Sequence, residues 1–418
     1  MSGNERCVLL VGGSHSVHVR VPARMIREAG YRIALADLQD AIDPEALGLF
    51  DAIYPLNDRT QRLLTRGRAM AGPGEPDYDL KLPEIEEPAR LTSYAWRLTQ
   101  GWLRAGRLLD AIRKEKPGIV YFQSMTAGGM TAYYLLKRMG WPPRGKRPGL
   151  LTHLWGYKPR FPGQRRREIR ALKEFDFIHT SSPAVARMYR EHFEVPPDRI
   201  AAYVRGISLR TFGPRPEAEL LAARAEWGVP ADKFVVIHNR HLHPMYRVDI
   251  AVDAVIDLAR RGHDVFLILV RGSMRQAEYE AEMVGRMKAA GLGDRVALMP
   301  PILTADQMGV ALRLARAAIN CVPFDAFGVS ILEAMYARAV PVVRNLESYV
   351  EFVKDGVTGF AVDGGPAEYA DRIERLIRDP PLRDRMADAG AALVEAEGSE
   401  EVFRERTLRL IEKHWHTW

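Results

Sequence analysis

Residues 317–344 read AAINCVPFDAFGVSILEAMYARAVPVVR. Their polar members are of the kind that hold a phosphorylated sugar. The pattern predicts a buried parallel strand over 318–322, a tight loop over 324–328, and a helix over 329–338 with Leu332, Met335 and Tyr336 on one side. A second apolar run starts at Pro341. A helix that follows a buried strand presents free N–H groups and the positive end of its dipole, which together suit a phosphate. Gly328 lets a ligand approach the backbone closely, and Ser330 adds a hydroxyl in the first turn. Glu333, one turn later, has the acceptor oxygens for a ribose diol. Asp325, before the helix, has them for sugar hydroxyls. The plain alternative is an ordinary strand–helix–strand unit with a solvated Glu333.

The seven residues between Asp325 and Glu333 include Phe327-Gly328, and the text continues Leu332-Glu333-Ala334-Met335 and Pro341-Val342-Val343. This resembles the E-x7-E signature of retaining GT-B glycosyltransferases of family 4 (glycosyl transferases group 1), usually E-G-F-G-x-x-x-L-E-A-M-A-x-G-x-P-V-V. Asp325 stands for the first Glu, Ala326 for the first Gly and Ala339 for the later Gly. By the same resemblance, Asn239-Arg240-His241-Leu242 matches G-R-L-x-x-x-K-G-x-D, whose Arg and Lys grip a diphosphate. Arg240 fits the Arg, whose rigid fork suits phosphate oxygens. Tyr246 falls on the Lys column, and Arg247 is the candidate for the second charge. Gly272 resembles a turn of the donor site, and Ile302 a loop that borders the nucleotide base. Phe327, Gly328, Val329, Ser330 and Glu333 complete the donor-binding set implied.

In the first half the resemblance is looser. Gly12-Gly13 and His18 resemble the first loop of these enzymes, where His18 would contact acceptor or diphosphate; a helix-capping role is the alternative. Trp155 to Lys158 stands where the family often has W-G-x-D or H-G-x-D. His153 lies two residues before Trp155, so on a strand both face one side. It is a candidate for the chemistry and, alternatively, a core histidine. Gly206-Ile207-Ser208 resembles P-x-G-(V/I)-D.

The elements that would position these residues alternate strand and helix. Strands are expected over 6–11, 32–36, 51–55, 118–122, 150–155, 176–180, 234–238, 265–270 and 295–299. Helices are expected over 19–29, 94–114, 164–175, 248–260, 368–378, 381–395 and 400–415. Residues 67–89 are rich in Pro, Gly and acids and read as a lid, a binding loop or disorder. At 418 residues two domains are expected. The fold class is α/β: two Rossmann-like domains, 1–213 for the acceptor and 214–399 for the donor, facing each other across a cleft in the GT-B manner. Residues 400–418 form a last helix that returns to the first domain. No G-x-G-x-x-G follows the first strand, so a dinucleotide fingerprint is absent.

Cys7 and Cys321 each lie in an apolar run and read as buried thiols of a reducing compartment. No run of eighteen apolar residues occurs. A cytoplasmic protein is expected, with peripheral contact at the inner membrane face as an open alternative. Residues 137–173 hold 12 Lys and Arg against one acid, Glu168. The net charge of +7 therefore sits in this stretch, and the remainder is slightly acidic. Such a patch fits an anionic partner or a solvated face. Nucleic acid is disfavoured, because no binding motif is present and no aromatics interleave the arginines.

The resemblance implies a glycosyltransferase that uses a nucleotide sugar, without metal or other cofactor, and retains anomeric configuration. Its catalytic residues would be Asp325 and Arg240, with His153 as candidate; Gly13, His18 and Trp155 would line the acceptor side. The rivals are a GT-B UDP-sugar 2-epimerase and a non-catalytic nucleotide-sugar-binding subunit. The acceptor is small or lipid-linked. The helix over 164–175 has Ile169, Leu172 and Phe175 but no broad apolar face, which favours a soluble or phosphorylated acceptor over docking of Arg165, Arg166 and Arg167 on anionic lipid.

Overall fold

The computed structural model describes residues 6–14, 16–38, 44–56, 91–123, 133, 136–141, 147–154 and 169–417; for residues 17, 44–46 and 91–100 it describes the backbone alone. The chain divides into two compact units, Met1–Tyr203 with Arg404–Trp418, and Val204–Phe403.

Short apolar runs between polar turns make the strands of the first unit. These are β1 (Cys7–Gly12), β2 (Arg32–Asp37), β3 (Ala52–Pro55), β4 (Ile119–Phe122), β5 (Gly149–Leu154), β6 (Phe177–Thr180) and β7 (Ile200–Ala202). They pair in parallel in the order β3-β2-β1-β4-β5-β6-β7. Every residue of β1, β4, β5 and β6 is buried, as parallel strands covered on both faces require. The helix Val17–Glu28 turns Val19, Ala23 and Ile26 onto this sheet. Ser16 caps it: its Oγ accepts the His18 N–H at 3.2 Å. His18, expected as the alternative cap, is instead the second residue of the helix.

The second unit has β8 (Phe234–His238), β9 (Val265–Leu269), β10 (Val296–Leu298), β11 (Ala317–Asn320), β12 (Val340–Arg344) and β13 (Phe360–Val362). All are parallel, in the order β10-β9-β8-β11-β12-β13. The strand order reverses between β8 and β11. In such sheets the loops leaving the two central strands diverge and open a crevice at their carboxyl ends. The helices Ala277–Ala289 and Ala305–Leu314 complete this unit and were not foreseen. The second is announced by a capping box, Thr304 with Gln307.

The boundary lies at Tyr203/Val204, ten residues before the expected 213/214. Val204, Ile207 and Phe212 are buried in the second unit's core, which takes the segment with it. The strand-like segment at Ile207 also bridges to Ser399. Ile207 N donates to the Gly398 carbonyl and Glu400 N to the Ile207 carbonyl, both at 2.9 Å. Gly206 has φ +74°, and a Cβ there would lie 2.3 Å from the Ser399 carbonyl oxygen, so only glycine fits.

The last helix, Glu400–Lys413, begins in the second unit, and its residues from Arg404 onward count with the first. In the first unit Thr407 and Ile411 are buried. Arg6 bonds Glu412 at 2.6 and 2.7 Å, and its guanidinium lies 4.2 Å from the Trp415 ring and 4.8 Å from the Tyr31 ring. The Trp415 indole fills the space over Gly118, 2.2 Å from where a Cβ would stand.

Candidate functional site

β8 ends at His238 and runs into Asn239-Arg240; β11 ends at Asn320 and runs through Asp325 into the helix Val329–Tyr336. Because the two strands are neighbours at the reversal, their loops meet. Arg240 Nη1 donates to Asp325 Oδ2 at 2.9 Å and to Ser330 Oγ at 3.3 Å. The Tyr349 hydroxyl donates to the same Asp325 Oδ2 at 2.9 Å. Asn239 Nδ2 donates to the Ser330 carbonyl at 2.8 Å. The Arg240 guanidinium lies 4.7 Å from the Tyr246 ring, a cation–π distance. The Arg240 and Asp325 side chains keep 17% and 15% exposure, so the pair can still be reached from outside.

The helix after this loop has no side-chain cap and no acid in its first turn. Its first N–H groups therefore remain available to an anion. Ile331, Leu332, Ala334 and Met335 bury the opposite side. A Cβ on Gly328 would lie 2.6 Å from Arg240 Nη1 and 2.8 Å from Asp325 Oδ2, so a side chain there would displace the pair. Phe327 turns its ring into the core against Tyr349 and Phe352, leaving only its backbone to the site. Val329, Ser330 and Glu333 are half-buried.

Burial pushes the Glu333 carboxyl up to about 6, although the charges of Arg205 and Arg240 act the other way. Burial also works against the charge of Arg240; Asp325, with Tyr349 and Tyr246, more than offsets it and raises the Arg240 pKa. The Tyr349 phenol is raised by burial and by the Asp325 charge, so it stays a donor.

The structure does not bring Arg247 to this cluster. It is exposed, left-handed at φ +51°, and forks onto Asp249 at 3.0 and 2.9 Å. The expected second charge is therefore engaged elsewhere. Tyr246, on the lysine column, is buried beneath Arg240. Gly272, at φ +69°, packs on His241, whose ring is 5.4 Å from that of Tyr246. Ile302 stands 73% exposed beyond β10.

In the first unit Gly13 accepts the Ser16 N–H at 3.0 Å, and Ser14 N donates to buried Asp37 at 3.3 Å. His18 is half-buried beside this turn. His153 is fully buried; its ring lies 3.8 Å from that of His179, which stacks 3.6 Å from Tyr203. Burial pushes His179 down to about 3, so its ring is uncharged at neutral pH. A fully buried ring cannot meet a substrate oxygen, and the catalytic expectation for His153 is corrected to a core role. Trp155, Lys158, Arg165, Arg166, Arg167 and residues 67–89 lie outside the described residues. Three described members of the basic stretch pair with acids beyond it: Lys137 with Glu174, Arg147 with Asp176 at 2.6 Å and Lys173 with Glu194 at 2.6 Å.

Sequence reasoning missed two participants: Asn239 and Tyr349. Asn239 adjoins Arg240 and was within reach. Tyr349 comes 24 residues after Asp325, with no local pattern to join them. Among the described residues no group of three or more His, Cys, Asp or Glu is placed to hold a metal ion. No described helix is long and apolar enough to cross a membrane.

Residues 221–392 match the family described as glycosyl transferases group 1. Asn239, Arg240, Asp325, Ser330 and Tyr349 all lie within the matched segment. A D-inositol 3-phosphate glycosyltransferase of Arthrobacter sp. (strain FB24) is 29% identical over 237 residues, 55% of this chain and 55% of the relative. The chain thus spans about half the length of the curated relatives it matches. Among solved structures, a glycosyltransferase from Rickettsia africae ESF-5 superposes with a TM-score of 0.77 at 14% identity, covering 98% of this chain and 99% of its own. Anabaena Alr3699/HepE, solved in complex with UDP, gives 0.73 at 16% identity over 98% and 100%. The fold, two Rossmann-like α/β domains, is that of these GT-B glycosyltransferases.

Proposed function

We propose that this chain is a retaining, metal-independent glycosyltransferase that moves a sugar from a nucleotide-diphosphate sugar to an acceptor hydroxyl. The observation that carries the reading is the cluster of Arg240, Asp325, Ser330 and Tyr349 at the open N-terminus of the helix Val329–Tyr336, with Glu333 one turn further. Arg240 and the first-turn N–H groups would meet the diphosphate, and their stabilisation grows as the leaving group gains charge. Glu333 would accept both hydrogens of the ribose diol. Asp325, its Oδ2 fixed by two donors, would orient sugar hydroxyls. The anomeric carbon–phosphate oxygen bond breaks, the acceptor oxygen bonds to that carbon on the same face, and the acceptor proton passes to the leaving phosphate oxygen. This route needs no protein base, consistent with a buried His153.

The match of residues 221–392 and the relatives named for D-inositol 3-phosphate support a transferase acting on a small, phosphorylated acceptor. A structural neighbour solved with UDP and with UDP-glucose supports a nucleotide-sugar donor. The test is release of nucleoside diphosphate from UDP-, GDP- and ADP-sugars, with and without D-inositol 3-phosphate or a lipid-linked sugar, in excess EDTA. Acceptor-dependent release of one nucleoside diphosphate, with an unchanged anomeric configuration in the NMR spectrum of the product, is expected. Release that needs a divalent cation, or conversion of the donor sugar with no acceptor present, overturns the proposal.

A further inference from the structure

Two donors converge on a single oxygen of Asp325: the Tyr349 hydroxyl and Arg240 Nη1 each stand 2.9 Å from Oδ2. Among the described residues nothing bonds Oδ1, and that oxygen is open to solvent. Tyr349 is held rigidly for this task. It ends the short 3-10 turn Glu347–Tyr349 and is 1% exposed. Its carbonyl accepts from Phe352 N at 3.0 Å and Val353 N at 2.9 Å. Its ring meets Phe327 edge-on at 6.2 Å, and Phe327 packs on Phe352 at 5.5 Å. Phe327 belongs to the loop that carries Asp325, so one aromatic contact braces both the phenol and the loop.

The two donors differ in what an arriving ligand does to them. Arg240 is a cation, and an anion draws it off the carboxylate. Tyr349 is neutral and packed in the core, so it keeps Oδ2 when the site fills. We infer that Tyr349 is a positioning residue that sets donor-sugar specificity, holding Oδ2 so that Asp325 meets the sugar through Oδ1 alone. This rests on the glycosyltransferase reading. Oδ1 has lone pairs for one hydroxyl or for a vicinal pair. A carboxylate free to turn would follow whichever hydroxyl a sugar offers. A fixed one is left unpaired when the hydroxyl it faces is missing, and a site built in this way rejects the deoxy analogue.

The test uses the full chain and whichever of the UDP-, GDP- and ADP-sugars it turns over, together with the monodeoxy analogues of that donor. The wild type should lose about 10-fold or more in kcat/KM when the hydroxyl facing Oδ1 is absent, at one position or at two adjacent ones, and about twofold or less elsewhere. Tyr349→Phe keeps the ring and its packing. It should bind the nucleoside diphosphate, which has no sugar, within about twofold of the wild type, and most of the discrimination between donor and deoxy analogue should vanish. Added to Asp325→Ala, Tyr349→Phe should change donor-sugar affinity no further, because the phenol acts through the carboxylate. A Tyr349→Phe enzyme that discriminates like the wild type overturns the inference. Equal losses for nucleoside diphosphate and nucleotide sugar also overturn it, since they assign Tyr349 to packing. So does a wild type that accepts every monodeoxy donor equally, a result that needs no variant to fold. A wild type that releases no nucleoside diphosphate from any of the three donors removes the glycosyltransferase reading itself.

Discussion

Glu333 carries the sharpest expectation at the scale of a single residue. Its ordinary value of 4.5 is pushed up to about 6 by burial. An acid whose folded value lies above its unfolded one is charged at a cost. The folded state binds the extra proton between those values, so stability falls as pH rises through this window. Glu333→Gln should therefore match or exceed wild-type stability at pH 7, by up to about 2 kcal/mol, with the gain vanishing below pH 4.5. Glu333→Ala should weaken nucleotide-sugar binding by about 10-fold or more, since a lost hydrogen bond to a buried diol costs roughly 1–3 kcal/mol. Wild-type donor affinity should itself fall as pH drops through about 6, where the carboxylate protonates. A nucleotide sugar has no phosphate that titrates there, so calorimetry across pH reads Glu333. Arg240 and Arg247 form a contrasting pair. Arg240→Lys keeps a counter-charge for Asp325 but loses the planar fork, and turnover at saturating donor should drop about 10-fold or more. Arg247→Ala breaks only an exposed pair with Asp249 and should leave donor affinity within about twofold. The reverse order of effects would restore Arg247 to the site.

Elements explain which parts of this were legible. The run from Ala317 to Arg344 folds as strand, loop, helix and strand because its period changes where Asp325 and Gly328 interrupt it. Arg240 was readable because it follows a buried strand. Tyr349 was not, because the pairing of neighbouring strands β11 and β12 rather than sequence distance brings it to Asp325. Arg247 failed for a local reason: the left-handed turn at φ +51° that starts the helix Val248–Arg260 swings it onto Asp249. The family's later glycine is also placed differently than expected. The left-handed residue that closes the helix Val329–Tyr336 is Arg338, at φ +66°, and not Ala339. A non-glycine residue in that conformation costs roughly 1–2 kcal/mol, while the exposed Arg338–Asp388 pair returns little. Arg338→Gly should raise the melting temperature by a few degrees at unchanged donor affinity. A lower melting temperature would show that the Asp388 contact outweighs the strain.

For the molecule as a whole, pattern shows two Rossmann-like units but puts their boundary ten residues late, because residues 204–213, expected in the first domain, bury Val204, Ile207 and Phe212 in the second core. The first unit depends on residues 404–418. Trp415 covers Gly118 and meets Arg6 and Tyr31, and Ile411 is fully buried. Trp415→Ala should cost about 3–5 kcal/mol. It should loosen amide hydrogen-exchange protection in β1 and β4 while protection in β8 and β11 stays as in the wild type. Equal loss in both sheets would mean that the two units unfold together. The same arrangement sets an order on synthesis. The segment 204–403 is continuous in the chain and can collapse as soon as it clears the ribosome. The unit that precedes it in the chain has to wait, one flank of its sheet bare, until residues 404–418 emerge to close it.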